Sequence, residues 1–367
     1  MRVDVVDPSA FTPPYDHALC AALARAGADV RLQTSRFGYG PVPAAEGYAR
    51  VERFYRRAAA GAATGSRARF AAKLAQHVPD MVAYRRAAAA AAIVHFQWLT
   101  VQPVDVHLLP RARPVVLTAH DVLPREPRRG QLAAQRRLYE RVDAIVVHSE
   151  HGRARLVDAL DIPARKVSVI PHGAFTHLLA VADAQALPAE LAAVDKPVVL
   201  FFGLLRPYKG LDVLLDAWRA AELDAELWIV GMPRMDVAPL RAAAPPGVRW
   251  VPRFVPDGEI AAYFRRADLV VLPYREIDQS GVLFTALAFG APLVLSAVGG
   301  FSEVAADGAA ALVAPGDPGA LADELARLLG DDDARAALAA GARSAASGRY
   351  CWDAIASAHL ALYETLR

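Results

Sequence analysis

Short runs of Val, Ile and Leu alternate with Ala-, Leu- and Arg-rich stretches along the chain, and this alternation limits the possible folds more than any other feature. In the first half, the runs predict strands at residues 3–6, 29–34, 92–97, 114–120, 144–149 and 166–173. Continuous apolar strands separated by helices are typical of a parallel sheet with helices on both faces. The first half therefore predicts an α/β domain.

The same alternation starts again after a weakly patterned segment. Its runs predict strands at residues 197–203, 226–231, 248–252, 269–273, 292–296 and 310–314. Because one hydrophobic core seldom grows beyond about 250 to 300 residues, a length of 367 residues also favours two domains. We expect two Rossmann-like, doubly wound domains that face each other across a cleft, at 1–173 and 196–349, with a linker at 174–195. Such sheets bind ligands beyond the carboxyl ends of their strands.

The composition is typical of a soluble globular protein, with 54% hydrophobic and 22% charged residues. Cys20 and Cys351 lie far apart and outside any CxxC, so neither a disulfide framework nor a zinc site is predicted. Asp4 and Asp7 fall where a signal peptide needs an apolar core. We expect a cytoplasmic protein. Peripheral attachment at the inner face of the membrane is the alternative.

Charge is distributed unevenly, although the net charge is only +2. Residues 1–173 carry 25 Lys and Arg against 15 Asp and Glu, a net +10, whereas the remainder carries 16 against 24, a net −8. Arginine concentrates at residues 52–73 and 125–141. Basic surfaces there would attract an anionic acceptor or a membrane, and solvated helix faces are the alternative. Without a nucleic-acid-binding module, nucleic acid is not expected as a partner.

Residues 279–302 carry no formal charge, and about 20 apolar residues are enough to span a membrane. Glycine and proline interrupt this run too often for a spanning helix, at positions 281, 290, 292, 299 and 300. The segment instead predicts an interior unit in which the strand at 269–273 is followed by a polar loop, a helix from Ser280 and Gly281, and the next strand.

The start of this predicted helix is a candidate anion-binding site. The first backbone N–H groups of a helix have no partner within the helix, and its dipole places positive potential there. We therefore expect Gln279, Ser280, Gly281 and Val282 to lie against a diphosphate. An ordinary N-cap by Ser280 is the alternative.

A second strand–turn–helix pattern, FFGLLRPYKG at residues 201–210, adds two cations. Arg206 and Lys209 follow a predicted strand, where they would neutralise the diphosphate of a departing nucleotide. Gly203 allows close approach to the backbone. A solvated basic turn is the alternative. P-loop and dinucleotide-binding sites are not predicted, because no GxxxxGKS/T occurs and no GxGxxG follows the first strand.

Several motifs occur in the order that they have in one enzyme family. They are LTAHDVLP (117–124), AIVVHSE (144–150), VIPHGAF (169–175), FFGLLRPYKG, VPDGEIAAYFRRADLVVLPY (255–274) and QSGVLFTALAFGAPLVLSAVGG (279–300). Together they resemble the retaining GT-B glycosyltransferases of family four. The resemblance implies a UDP- or GDP-linked sugar held by the second domain, an acceptor approached from the first, and no cofactor or metal. The last residues, about 350–367, are similar to the family's final helices, which cross back to the first domain.

The resemblance also implies individual donor-binding residues. The family often has two glutamates seven residues apart beside the phosphate-binding helix, and Thr285 stands at the second of these positions. Asp278 matches the first glutamate by its distance from the helix, with Glu276 as a competitor. Phe254 and Val255 are similar to the segment that packs against the nucleobase.

In the first domain the resemblance singles out His120, because a histidine in the T-x-H-D context is similar to the one that contacts the donor sugar. A buried histidine bonded to the backbone is the alternative. Tyr15, His95 and Trp98 are candidate acceptor-binding residues near other strand ends. Packing explains His95 and Trp98 equally well.

The expected activity is transfer of a sugar to a hydroxyl acceptor with retention at the anomeric carbon. Double displacement needs a carboxylate nucleophile beneath the sugar, and no candidate stands out. Same-face attack needs only a stabilised leaving group and a positioned acceptor. The catalytic residues are expected to be His120, Asp278, Arg206 and Lys209. A catalytically silent sugar-nucleotide-binding subunit, suggested by Thr285, and an epimerase of the same architecture are the alternatives.

Overall fold

A computed structural model describes residues 1–61, 66–124, 129–180 and 185–367. Parts of the two arginine-rich segments (62–65 and 125–128) and residues 181–184 of the expected linker lie outside these ranges. The chain forms two compact units, Met1–Gly173 with Trp352–Arg367 in the first and Ala174–Cys351 in the second. Residues 174–195 therefore group with the second unit. Within the described ranges, no helix combines the length and the apolarity that a membrane span requires.

The first unit contains a seven-stranded parallel sheet. Its strands are β1 (Arg2–Asp7), β2 (Asp29–Ser35), β3 (Ala49–Phe54), β4 (Ile93–Phe96), β5 (Val115–Thr118), β6 (Ala144–Val147) and β7 (Val167–Val169). Their order in space is β3-β2-β1-β4-β5-β6-β7. The central strands β4, β5 and β6 are buried along their whole length, which accounts for their continuous apolar sequences.

β3 is absent from the strands that the sequence predicts, and the physical reason is its position. It lies at the edge of the sheet, and within the described ranges it pairs with β2 alone. Its sequence, ARVERF, is mostly half-buried or exposed. An edge strand needs no continuous apolar run, and charged side chains there discourage pairing with other chains.

Helices cover the first sheet: α1 (Pro13–Arg25), α2 (Arg56–Gly61), α3 (Arg67–Ala87), α4 (Gln102–Leu108), α5 (Gln131–Arg141) and α6 (Glu150–Leu160). Serine caps set the start of two of them. The hydroxyl oxygens of Ser66 and Ser149 accept hydrogen bonds from the N–H groups of Arg69 and Gly152, respectively.

The second unit contains a six-stranded parallel sheet, formed by β8 (Val198–Phe202), β9 (Glu226–Val230), β10 (Val248–Val251), β11 (Leu269–Leu272), β12 (Leu293–Ser296) and β13 (Ala310–Val313). The order is β10-β9-β8-β11-β12-β13, so the direction of strand addition reverses between β8 and β11. The helices are α7 (Ala189–Ala192), α8 (Leu211–Ala221), α9 (Ala238–Ala242), α10 (Asp257–Arg266), α11 (Gly281–Phe289), α12 (Phe301–Ala306), α13 (Pro318–Leu329) and α14 (Asp332–Ser347). Two Rossmann-like α/β folds are thus confirmed.

The uncharged run is an interior unit, as its glycines and prolines predict. It provides α11 and β12, which follow β11 and a loop. All four residues of β11 and of β12 are buried. The long apolar stretch is therefore explained by burial on both faces of a parallel sheet.

The last helix, α15 (Trp352–Thr365), belongs to the first unit. The hydroxyl of Tyr363 lies 2.6 Å from Nδ1 of His95 on β4. A methyl group at Gly173 would lie 2.3 Å from the indole of Trp352, so glycine is required for the indole to pack there. These contacts tie the C-terminal helix to the first sheet.

Candidate functional site

The predicted donor-binding residues lie at the carboxyl edge of the second sheet. Since its strands are parallel, the loops after β8, β10 and β11 leave from the same edge. β8 and β11 are neighbours at the point where the strand order reverses, which is the usual ligand position in such sheets. These loops, and the helix start that follows the third, hold Gly203, Arg206, Lys209, Phe254, Val255, Glu276, Asp278, Gln279, Ser280, Gly281 and Val282.

The turn between β8 and α8 is packed against the end of β11. Gly210 has a φ of +67°, and a methyl group there would lie 2.0 Å from the carbonyl oxygen of Pro273. The N–H of Arg275 donates to the carbonyl of Tyr208 at 2.8 Å. The guanidinium of Arg275 pairs with Asp212 on α8 at 2.6 Å. The two loops thus form one packed structure.

Lys209 is buried, with 6% of its surface exposed. Its Nζ lies 4.9 Å from the centroid of the Tyr274 ring. A methyl group at Gly203 would lie 3.1 Å from this Nζ and 2.9 Å from Cγ2 of Val282. The structure therefore brings the ammonium of Lys209 beside Gly203 and the first turn of α11.

α11 begins without a side-chain cap. Ser280 has the extended backbone of an N-cap residue, but its side chain accepts no hydrogen bond from the helix. Its hydroxyl lies 3.5 Å from that of Tyr274. The alternative of an ordinary Ser280 cap is therefore wrong. N–H groups in the first turn retain their capacity to bind an anion.

Packing distinguishes the two carboxylates that compete for one position. Asp278 is buried, whereas Glu276 is exposed. A methyl group at Gly299 would lie 1.7 Å from the carbonyl oxygen of Ile277, so glycine is needed where the next loop packs on this one. The N–H of Gly300 donates to the carbonyl of Asp278 at 3.3 Å. Asp278 is thus the carboxylate whose backbone is held in place.

The remaining predicted residues of this unit differ in accessibility. Arg206 is exposed, and its guanidinium has no hydrogen-bond or ion-pair partner among the residues that the structure describes. Thr285 is buried, and its hydroxyl donates to the carbonyl of Gly281 at 3.0 Å. After β10, Val255 is buried whereas Phe254 is 37% exposed. Phe254 is the one of this pair that a planar ligand can reach.

In the first unit, His120 and Trp98 lie together just beyond the carboxyl ends of β5 and β4. Their rings are stacked, with centroids 5.0 Å apart and an interplanar angle of 16°. The indole N–H of Trp98 donates to the hydroxyl of Thr12 at 3.0 Å. Phe11 packs against Trp98 and is 55% exposed. Because His120 and Trp98 are themselves half-buried, these rings form an accessible aromatic rim.

Tyr15 lies beneath this rim and is almost fully buried. Four rings enclose its own at centroid distances of 4.8 to 5.6 Å, those of His120, His148, His172 and Trp352. Its hydroxyl has no hydrogen-bond partner among the described residues. Its position is that of a packing residue under His120.

His95 is fully buried in β4. Its Nδ1 faces the hydroxyl of Tyr363 at 2.6 Å, and its Nε2 faces that of Thr118 at 2.7 Å. Both ring nitrogens are therefore occupied within the protein. Of the two interpretations that the sequence leaves open for His95, packing describes this geometry.

His148 is part of the same cluster, although the sequence assigns it no role. Its Nε2 lies 3.2 Å from Nδ1 of His120. Burial lowers the pKa of His148 to about 4. Burial, and then the neighbouring imidazoles, hold the pKa of His120 well below its usual value. A histidine shortly after each of the adjacent strands β5, β6 and β7 is the sequence signal that would have found this cluster.

Two family matches cover most of the chain. Residues 15–178 match Glycosyltransferase Family 4, and residues 196–331 match Glycosyl transferases group 1. A D-inositol 3-phosphate glycosyltransferase from Xylanimonas cellulosilytica is 33% identical over 288 residues, which cover 72% of this chain and 68% of the relative. The chain belongs to glycosyltransferase family 4.

Further similarities place this glycosyltransferase among proteins of the GT-B fold. A second D-inositol 3-phosphate glycosyltransferase, from Frankia alni, is 31% identical over 64% of this chain, and the match spans only 61% of that relative's length. The crystal structure of Anabaena HepE in complex with UDP and glucose aligns with 100% of both chains, at a TM-score of 0.77 and 19% identity.

Over the described ranges, no group of three or more His, Cys, Asp or Glu side chains is arranged to hold a metal ion.

Proposed function

We propose that the protein transfers a sugar from a nucleoside-diphosphate sugar to a hydroxyl acceptor, with retention at the anomeric carbon and without a metal. One observation carries this proposal: the ammonium of Lys209, a buried residue, lies beside the first turn of α11, at the reversal point of the second sheet. A cation and an uncapped helix start that converge on one place suit a diphosphate.

The leaving group supplies the reason for this arrangement. As the bond from the anomeric carbon to the diphosphate breaks, negative charge grows on the phosphate oxygens. Lys209, the exposed Arg206 and the first N–H groups of α11 would stabilise that charge, and one such contact contributes about 3 kcal/mol to the transition state. The acceptor oxygen attacks from the face that the diphosphate leaves, and its proton passes to a phosphate oxygen.

The remaining donor contacts follow from accessibility. We assign the sugar hydroxyls to Asp278 and His120 and the nucleobase, uracil or guanine, to the surface around Phe254 and Val255. Gln279, Ser280, Gly281 and Val282 contact the phosphates. Thr285 replaces a carboxylate and is hydrogen-bonded within α11, so ribose recognition in this protein would not use that position.

For the acceptor, we propose an anionic molecule with a free hydroxyl. The net charge of +10 over residues 1–173 supports this choice, and curated relatives are named for D-inositol 3-phosphate. Trp98 and Phe11 offer accessible rings for contact with it. Tyr15 would act from below by supporting His120.

The proposal is tested in two steps. UDP, GDP and ADP are first compared by thermal shift, because a ligand at 100 times its dissociation constant adds about 2.7 kcal/mol of stability. Sugar conjugates of the preferred nucleotide are then incubated with D-inositol 3-phosphate and uncharged polyols, with and without EDTA. We expect a product with retained anomeric configuration by NMR, formed equally in EDTA. An inverted product, or loss of activity with EDTA, would contradict the mechanism.

The hydrogen bond between Thr285 and its own helix also favours a second candidate, a catalytically silent protein that binds the sugar nucleotide. Such a protein would show the thermal shift with the intact donor. It would release no nucleoside diphosphate with any acceptor, whereas an epimerase would return an altered donor sugar.

We also propose peripheral attachment to an anionic membrane through α3. Phe70, Leu74 and Val78 are spaced by four residues and are 71%, 50% and 44% exposed. Arg67 and Arg85 share this side of the helix by their spacing. Apolar side chains between arginines suit a surface of anionic headgroups.

Vesicle flotation tests this attachment. We expect binding to vesicles that contain phosphatidylglycerol and none to pure phosphatidylcholine. Leu74→Asp should abolish that binding, and Leu132→Asp, at an exposed leucine of α5, should not. Equal flotation of both variants would contradict a role for α3.

A further inference from the structure

Three imidazoles follow three adjacent strands of the first sheet. His120, His148 and His172 come after β5, β6 and β7, and the centroids of successive rings are 5.1 and 5.3 Å apart. His148 is 5% exposed and touches both of the others. The function proposed above uses only His120 and assigns no part to His148.

The hydrogen bonds of His148 fix the protonation of both rings. Nδ1 of His148 lies 3.0 Å from the carbonyl oxygen of Ile170, which can only accept, so this nitrogen carries a proton. In a neutral ring Nε2 is then an acceptor. It lies 3.2 Å from Nδ1 of His120, which must therefore donate. The chain of donors ends with an unprotonated Nε2 on His120.

If His120 were charged, both of its ring nitrogens would carry a proton and Nε2 would not be an acceptor. The surroundings of the ring disfavour this charged form. The ring is stacked on Trp98 and meets the edge of Tyr15. Burial and then the nearby histidines hold its pKa well below the usual value. His120 is therefore neutral near pH 7, with one donor and one acceptor nitrogen.

Gln97 faces the acceptor nitrogen. In the structure its amide oxygen Oε1 lies 3.1 Å from Nε2 of His120, and its amide nitrogen is buried without a partner among the described residues. The oxygen and nitrogen of an amide are assigned from the hydrogen bonds that they make. An unprotonated Nε2 therefore requires the Gln97 amide to be turned over, so that its NH₂ group donates to His120.

We propose that His148 is a positioning residue that holds His120 in the Nδ1–H tautomer, so that Nε2 of His120 acts only as a hydrogen-bond acceptor. This inference rests on the proposed function in one respect, the contact between His120 and the donor sugar. A sugar hydroxyl that displaces the Gln97 amide must donate its hydrogen to Nε2. A sugar nucleotide in which the hydroxyl that faces Nε2 of His120 is methylated could not form this hydrogen bond.

Nitrogen-15 NMR of imidazole-labelled protein tests the tautomer without any activity measurement. The His120 signals are identified by their loss in His120→Asn. We expect Nδ1 protonated and Nε2 unprotonated in the full-length protein. A protonated Nε2 on His120 at neutral pH would overturn the inference, whether or not the protein proves to be a transferase.

Two variants of His148 test its influence. His148→Gln keeps an oxygen acceptor, and we expect the tautomer to persist and kcat/KM to stay within about threefold of wild type. His148→Phe removes the acceptor, and we expect mixed tautomers and a loss of about tenfold or more in kcat, the size of one hydrogen bond. If His148→Phe retains a pure Nδ1–H tautomer, the positioning role is wrong.

His359→Phe is the matched control for folding. His359 is fully buried on α15, and its Nδ1 faces the carbonyl of Ile355 at 2.9 Å. It has no ring contact with His120. We expect this variant to leave the His120 signals and transfer unchanged, and a change equal to that in His148→Phe would show general loosening of the unit instead of positioning.

Discussion

Lys209 shows how one residue acquires a function from its surroundings. In the sequence it is a lysine in a turn, for which a solvated position is an equally ordinary outcome. In the structure, Gly203 and Gly210 allow the turn to approach the neighbouring loop, and the lysine becomes 6% exposed. Its ammonium lies beside Gly203 and the first turn of α11, where a bound diphosphate would be within reach of both the cation and the helix start.

Lys209→Ala should therefore reduce kcat/KM about a hundredfold, the effect of removing one preorganised charge contact of about 3 kcal/mol. Steady-state transfer kinetics provide the measurement. Lys196→Ala is the control, because Lys196 is exposed and pairs with Asp224 at 2.6 Å. Similar activity in both variants would remove Lys209 from the mechanism.

The sequence predicted individual residues unevenly. Gln279, Ser280 and Gly281 lie at the start of a helix, as the helix signal predicts, because strand, loop and helix follow one another locally. His148 was missed, since its contact with His120 depends on which strands are adjacent in the sheet. For His95 the sequence offered a binding role that the structure does not favour. Its position in a strand does not reveal that the hydroxyl of Tyr363, far along the chain, faces its Nδ1.

At the level of elements, the turn after β8 depends on close packing against the end of β11. Gly210 combines a left-handed backbone with a carbonyl oxygen only 2.0 Å from the place of a methyl group. Both features disfavour any residue other than glycine at position 210. The close packing that glycine permits holds the turn that carries Lys209 in place.

Gly210→Ala should lower the free energy of unfolding by about 1–3 kcal/mol and also weaken nucleotide binding. Gly308→Ala separates the two causes, because Gly308 has a similar φ of +75° with no atom within 4 Å of an added methyl group. We expect it to lose stability only through backbone strain and to bind nucleotide normally. Chemical denaturation and calorimetric titration of both variants measure these effects, and equal losses of both properties would contradict the packing argument.

Prediction of elements was strongest where burial dominates the sequence. The apolar runs of β11 and β12 and the glycines around α11 predicted an interior strand–helix–strand unit, which is confirmed. β3 was missed because an edge strand has one partner and mixed polarity. The alternation of apolar and helical stretches, together with the positions of glycine and proline, predicts the order of strands and helices. Edge strands and helix caps depend on spatial neighbours that the local sequence does not specify.

For the molecule as a whole, several buried histidines couple stability to pH. Burial lowers the pKa of His148 and of His359 to about 4, from an ordinary value of 6.5. The unfolded chain binds these protons below pH 6.5, but the folded chain does so only near pH 4. The stability that they contribute is therefore present above pH 6.5 and is lost as the pH falls toward 4. Buried Asp4, Asp7 and Asp16 have raised pKa values and oppose this loss.

A comparison of wild type with His359→Phe isolates the contribution of His359, since both proteins contain the same carboxyl groups. Between pH 6.5 and 4, wild type should lose up to about 3 kcal/mol more unfolding free energy than the variant. Urea denaturation at several pH values measures the difference. A constant difference across this range would contradict a neutral, buried His359.

The central claim is that a nucleoside diphosphate binds where the turn after β8 meets the start of α11. A crystal structure of the protein with UDP or GDP, whichever gives the larger thermal shift, tests it most directly. We predict phosphate oxygens within hydrogen-bond distance of Nζ of Lys209 and of a backbone N–H group in the first turn of α11. A diphosphate bound elsewhere, with Lys209 and α11 making no contact with it, would contradict the account.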